Sequence, residues 1–267
     1  MAPSTYYYHR SKCNWIDRYE PVRAHLHEIF DGSYRSYGYR RLACALRDKH
    51  GYRLSGKTVL RLMREEGRTC VVRRKKYSSY KGEVGKAAAN TLDRNFESKT
   101  PNSKWVTDIT EFKICEKKIY FSPMIDLYNG EVIAYEINVS PNLKLVTSML
   151  DKALATLEQE EHPMIHSDQG WHYRHMFYQK TLHNRGLEQS MSRKGNCLDN
   201  AVAENFFGHF KEEFLRQQRF ASLKEFETKL ALYIHWFNHE RIKIKLKGLS
   251  PVQYRTQSFA NLIPTPN

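Results

Sequence analysis

Three acidic side chains, Asp108, Asp168 and Glu204, stand where an acid is hard to accommodate unless it has a task. Asp108 lies between Trp105 and Ile109 in a run patterned like a β-strand, and Asp is disfavoured inside strands. Asp168 follows the short apolar run Met164-Ile165-His166, at the C-terminal end of a strand, where strand-to-helix loops commonly build active sites. Glu204 falls one turn into a helix opened by Asp199-Asn200. Burying any of them unpaired costs several kcal/mol, so each needs a basic residue or a cation. Singly they have ordinary explanations: a salt bridge for Asp108, a helix cap for Asp168, a solvated helix face for Glu204. Jointly they offer hard oxygen ligands to Mg²⁺ or Mn²⁺. Two such ions about 4 Å apart stabilise the attacking and leaving oxygens of an in-line phosphoryl transfer, with no other ligand type required.

The elements that would position these acids follow from periodicity. Residues 104–115, 119–127 and 131–139 read as three strands of an antiparallel meander, with Tyr128-Asn129-Gly130 as the turn between the last two. Residues 143–157 form an amphipathic helix and 164–166 a fourth strand; 175–184 is a helix closed by Gly186, and 187–192 a fifth strand. A long helix starts near Asn200 and buries Val202, Phe206, Phe207, Phe210 and Phe214. Glu204 and Lys211 are two turns apart, roughly 10 Å along the axis, and share a face away from the phenylalanines. The result is an α/β fold: a mixed five-stranded sheet flanked by helices.

Charge separates the chain into three parts. Its 43 Lys+Arg and 29 Asp+Glu leave a formal +14 over 267 residues, which points to a polyanionic partner. Residues 1–90 carry +12, residues 91–204 carry −3 and residues 205–267 carry +5, so basic ends bracket an acidic middle. In the head, Leu42, Ala45 and Leu46 mark one helix stopped by Gly51; Ser55 caps a second, with Val59, Leu60, Leu62 and Met63 as its stripe. Two helices and a tight turn suggest a helix-turn-helix. Lys57, Arg61 and Arg64 share one side of the second helix, facing either solvent or a DNA groove. Arg73, Arg74, Lys75 and Lys76 follow and favour nucleic acid. The expected organisation is a basic helical head at 1–76, a linker at 77–100, a catalytic core at 101–220 and a helical basic extension at 221–267.

Five cysteines without a Cys-x-x-Cys pair argue against a disulfide framework and a Cys-rich zinc site, and suit a reducing cytoplasm. No stretch approaches the roughly 20 apolar residues of a membrane span, and Met1 to Tyr8 lacks signal-peptide order. His235 and His239 have helical ligand spacing for zinc but no paired cysteines beside them. His172 and Tyr173, just past the second aspartate, are candidates either for DNA contact or for local packing.

Trp105-Val106-Thr107-Asp108-Ile109-Thr110, His166-Ser167-Asp168-Gln169-Gly170, and the run from Ser192 through Asn200 to Glu204-Asn205-Phe206-Phe207 resemble the catalytic core of bacterial insertion-sequence transposases related to retroviral integrases. Thirty-five residues separate Asp168 from Glu204, the spacing known for this group. The head resembles the helix-turn-helix preceding that core, and the stretch from Trp236 to Arg241 and on to Tyr254 resembles the family's C-terminal signature, although relatives often have Tyr at Phe237 and His at Lys243.

The resemblance implies a ribonuclease H-like fold in which Asp108, Asp168 and Glu204 hold two divalent ions, Mg²⁺ or Mn²⁺. It implies that Lys211, Arg193 and Lys194 lie at the element's terminal DNA. Water would cleave a phosphodiester at an element end, and the freed 3′-OH would attack another DNA phosphate. The partners implied are double-stranded DNA (terminal inverted repeats and target), at least one further copy of the chain, and the product of an upstream frame joined by ribosomal frameshifting. The location implied is the bacterial cytoplasm, at the nucleoid. Two alternatives share these features: a non-catalytic DNA-binding regulator of transposition, and a ribonuclease H-like nuclease acting on RNA-DNA hybrids.

Overall fold

The computed structural model describes residues 2–13, 17–72, 89–93, 95–193 and 197–260. The chain forms two compact units, Met1–Val71 and Val72–Asn267. Arg73, Arg74, Lys75, Lys76 and Lys194, with 77–88 and 94 of the expected linker, lie outside the described residues.

The first unit holds helices α1 (Pro3–Cys13), α2 (Glu20–Gly32), α3 (Tyr39–His50) and α4 (Gly56–Glu65). α3 and α4 match the helix-turn-helix expectation: Gly51 stops α3 at φ 73°, and Ser55 Oγ accepts from the Thr58 N–H at 3.2 Å. The sequence reading passed over α2, yet its stripe of Val22, Leu26, Ile29 and Phe30 is as regular as theirs and is buried. Arg23 ties α2 to α4 by pairing with Asp17, Glu65 and Glu66.

The second unit is a three-layer α/β/α domain built on β1 (Lys104–Thr107), β2 (Thr110–Ile114), β3 (Lys117–Asp126), β4 (Val132–Asn138), β5 (Met164–Ser167) and β6 (Gln189–Met191). β3 pairs antiparallel with β4 on one side and with both β1 and β2 on the other; β1, β5 and β6 run parallel. Since β1 and β2 lie end to end along β3, the six segments make a sheet five strands wide. Alternation sends Trp105 and Met124 to one face, where α5 (Leu143–Leu154), α6 (Trp171–Arg174) and α7 (Met176–Asn184) add Val146, Met149, Leu150, Tyr173 and Leu182. Phe121 faces the other way into an aromatic cluster with Phe206, Phe207 and Phe210. Each fully buried phenylalanine contributes about 1.5–3 kcal/mol.

The long helix expected from Asn200 changes character along its length. A 3₁₀ turn (Cys197–Asn200) leads into α8 (Ala201–His209), which passes into a π turn (Phe210–Phe214). The π turn lets Phe210 and Phe214 both enter the core while burying Glu213 between them. α9 (Leu223–His239) and α10 (Pro251–Ala260) follow. Glu213 receives Arg241 in a bidentate pair at 2.8 and 2.5 Å, with Tyr233 donating at 3.3 Å and His209 Nδ1 3.1 Å away. Burial alone would raise its pKa, but Arg241 and His209 outweigh burial and hold it at about 2.

Because Glu213 ionises more easily folded than unfolded, its stabilising effect is complete above its ordinary pKa near 4.5 and is lost as pH falls toward about 2. Glu213→Gln should therefore flatten the acid-unfolding curve between those limits. Arg241→Ala strands a buried charge and should cost about 3–5 kcal/mol in urea titrations at neutral pH.

Candidate active site

Asp108 does not sit inside an unbroken strand, as its sequence neighbours suggested, but in the gap between β1 and β2. The register explains the gap. Thr107 faces Met124 and Thr110 faces Phe121, so the interruption lies opposite Ser122 and Pro123, and proline has no N–H for a ladder. The freed Asp108 carboxylate accepts from the Ile109 N–H at 2.7 Å.

Asp168 arrives beside it by strand pairing. β1 and β5 are parallel with Val106 opposite His166, so both aspartates lie two residues beyond the same rung. Asp168 Oδ1 accepts from the Gly170 N–H at 2.9 Å, and a Cβ on Gly170 would meet that oxygen at 2.9 Å. Any larger residue at 170 would push the Asp168 carboxylate from this position. Glu204 comes from the first turn of α8, which packs on β1.

All three carboxylates are half-buried, and burial raises the pKa of each. Asp108 reaches about 7 because burial, then the charge of Asp168, and further Glu204, oppose its ionisation. The sheet and α8 thus bring Asp108 within electrostatic reach of both partners. They do not gather the three into a closed cage: among the described residues no three His, Cys, Asp or Glu are close enough to hold a metal ion.

The donor set nevertheless fits a hard divalent cation, and polar atoms around it lack well-formed partners. The amide of Asn200, 4% exposed, favours the ionised form of Asp108, yet neither of its polar atoms makes a hydrogen bond of good geometry. Asn200 occupies the N-cap of α8 without capping it. The buried hydroxyls of Thr107 and Tyr173 lean on each other beneath the aspartates, also without a well-formed bond. An acidic site ringed by unsatisfied dipoles suits an ion that brings its own water shell.

The other expected residues are placed as follows. Lys211 lies half-buried in the π turn. Arg193 is engaged with Asp199 at 3.0 Å and Asp93 at 3.1 Å, so its charge is already balanced. Lys57, Arg61 and Arg64 are exposed on α4, with Arg61 paired to Glu65 at 3.0 Å. His172 and Tyr173 are buried, as the packing alternative expects. The sequence reading did not single out Asp199, which is fully buried and takes hydrogen bonds from Asn90 and Arg193. Asn200 was read only as the start of the helix that carries Glu204; no spacing rule reveals an amide withheld from its own helix cap.

A carboxyl with a folded pKa near 7 against an ordinary 3.8 loses stability as pH climbs between those values, since the fold favours its protonated form. In a chelator-containing buffer, Asp108→Asn should melt above wild type at about pH 8, with the gap closing toward pH 4. A constant gap across that range would show that Asp108 does not carry this cost.

Residues 98–197 and 204–259 match the model of the integrase core domain, and residues 18–76 that of an HTH-like domain. The transposase InsK assigned to insertion sequence element IS150 of Escherichia coli (strain K12) is 45% identical over 96% of this chain and 90% of its own length. A transposase-like protein of Haemophilus influenzae is 50% identical over 78% of this chain and 95% of its own. Among solved structures, a chain of the simian T-cell lymphotropic virus intasome superposes over 92% of this chain and 77% of its own, with a TM-score of 0.53 at 17% identity, which shows a shared fold. The chain therefore belongs to the insertion-sequence transposases, DDE polynucleotidyl transferases built on an integrase core behind a helix-turn-helix head.

Proposed function

We propose that Asp108, Asp168 and Glu204 are the catalytic carboxylates with which this transposase cuts and joins DNA phosphodiesters at the ends of its insertion sequence. The observation that carries the reading is the pairing of β1 with β5, which aligns Asp108 with Asp168 while Glu204 is near enough to oppose the ionisation of Asp108. The three side chains would hold two divalent cations, Mg²⁺ or Mn²⁺. When bound, these supply positive charge to the attacking and leaving oxygens of an in-line displacement.

The protein's own groups do the rest. The Gly170 N–H holds one oxygen of Asp168 and the Ile109 N–H one oxygen of Asp108, so each aspartate keeps its other oxygen for ligation. Asn200, with its amide uncommitted beside Asp108, orients that carboxylate. The same site first admits water as nucleophile at an element end, then the freed 3′-OH at a second phosphate. No covalent enzyme intermediate is required.

Duplex DNA is the partner, bound as terminal repeat and as target. Lys57, Arg61 and Arg64 on α4, with Arg73, Arg74, Lys75 and Lys76, contact the repeat. Lys211 and Lys194 bind phosphates near the scissile strand, and Arg193 acts through the loop it ties to Asp199. Joining two ends to a target calls for at least a dimer, and the upstream-frame product is a candidate further partner. Among the described residues no helix is long and apolar enough to cross a membrane. The proposed location is the cytoplasm, at the nucleoid.

With duplexes carrying the DNA that flanks the gene, Mg²⁺- or Mn²⁺-dependent nicking should fall about a hundredfold or more in Asp108→Asn, Asp168→Asn and Glu204→Gln, while affinity for the duplex persists. Nicking retained in all three would overturn the catalytic assignment and leave a DNA-binding regulator. Cleavage confined to RNA-DNA hybrids would instead point to a ribonuclease H. Lys211→Ala should weaken binding uniformly across sequences and reduce the salt slope by about 1.

A further inference from the structure

The segment after Asp168 differs in chemistry from the rest of the core. Residues 169–187 contain Arg174, Lys180 and Arg185 and no acidic residue, inside a region that is net negative overall. It also exposes large apolar side chains: Trp171 is 51% exposed, Met176 78% and Phe177 56%. Exposed aromatics interleaved with cations are what single-stranded nucleic acid recognises, because each base offers a π face and each nucleotide a phosphate.

The local structure holds these side chains ready. Trp171 lies only three residues past Asp168, in the four-residue α6. Its indole stacks on the His172 ring with centroids 4.0 Å apart and planes inclined at 28°. His172 is fixed in turn: it is buried, and its Nε2–H donates to the Pro141 carbonyl at 2.7 Å. One face of the indole thus rests on an anchored imidazole while half of the side chain remains in solvent. At the start of α7, His175 Nδ1 accepts from the Phe177 N–H at 3.2 Å, which sets the first turn that carries Met176 and Phe177. A pre-ordered, solvated aromatic is costly to keep unless something covers it, and its position beside a nucleic-acid active site says what does.

We infer that Trp171, with Phe177, forms a stacking lip that receives an unpaired DNA base next to the scissile phosphate, with Arg174 and Lys180 meeting the adjacent backbone. The inference rests on the DNA-cleaving reading above and adds to it that the enzyme opens the duplex at the cleavage point. The lip accounts for why an exposed indole stands three residues past Asp168: a strand must leave the helical stack before its phosphate can settle among carboxylates recessed in the protein.

The test is a binding comparison in EDTA, where catalysis does not enter. Two duplexes carry the DNA that flanks the gene; one is fully paired and the other is mispaired at the element boundary. Wild type should bind the mispaired duplex about tenfold more tightly, since it no longer spends stacking energy on opening the helix. The double variant Trp171→Ala, Phe177→Ala should bind both alike. A variant that keeps the wild-type preference overturns the lip. So does a variant whose elution volume shifts in size-exclusion chromatography, which would assign the patch to contact between copies of the chain. If wild type binds neither duplex, the DNA reading itself fails, an outcome distinct from the other two.

Discussion

The burial of three carboxylates, with the charges of Asp168 and Glu204 opposing the ionisation of Asp108, is the constraint around which the core domain is organised. Burial and neighbouring charge raise the Asp108 pKa to about 7, so negative charge is expensive at this site. A sheet that gained only stability from its residues would not place an aspartate in the break between β1 and β2, opposite a proline that has no N–H for a ladder bond. The cost is local, and the surrounding structure carries it: Trp105, Val106 and Ile165 are fully buried on the strands just below. The break, the glycine close to Asp168 and the amide of Asn200 that makes no well-formed hydrogen bond all lie at one end of a parallel strand pair, and the ligand role proposed for the acids gives them a common reason.

What keeps α8 in register with the sheet is the C-terminal region, whose polar residues act as docking devices. Arg241 reaches back to Glu213 in the π turn that follows α8. Asn238 acts as a one-residue strand, exchanging two hydrogen bonds of 2.9 Å with the backbone of Val132 at the head of β4. Lys243 donates to the carbonyls of Asn129 and Gly130 in the β3–β4 turn, and Arg255 pairs with buried Asp126 at 3.3 Å. Each is a buried or partly buried polar contact, and such contacts specify geometry more than they add stability. Glu204 is placed by this scaffold at a distance, because the helix that carries it is clamped at its far end.

Much of the plan is legible in the chain itself. The alternation through Ile119, Phe121 and Ile125 marks β3, the stripe of Leu145, Val146, Met149 and Leu150 marks α5, and Ser55 and Gly51 punctuate the head, because local sterics and one-sided burial dictate those patterns. The acids proposed as catalytic could be singled out too, from their unlikely settings and from the spacing that links Asp168 to Glu204. Less visible was the interruption at Asp108, since the residues that cause it stand on another strand. The exposed or buried fate of adjacent residues was equally hidden: Trp171 faces solvent while His172 and Tyr173 are buried, and nothing in their order distinguishes them.

The sequence by itself determined which residues are able to bind cations and phosphates, and which segments become helix or strand, because those depend on side-chain chemistry and near-neighbour sterics. Only the tertiary structure decided that Asp108 and Asp168 leave the sheet two residues beyond one rung, that Glu213 and Arg241 meet across 28 positions, and that the indole of Trp171 rests on His172 with half of its side chain in solvent. Strand register and helix docking set those relations, and both are settled by the packing of the whole core, where each contact depends on residues far away in the chain.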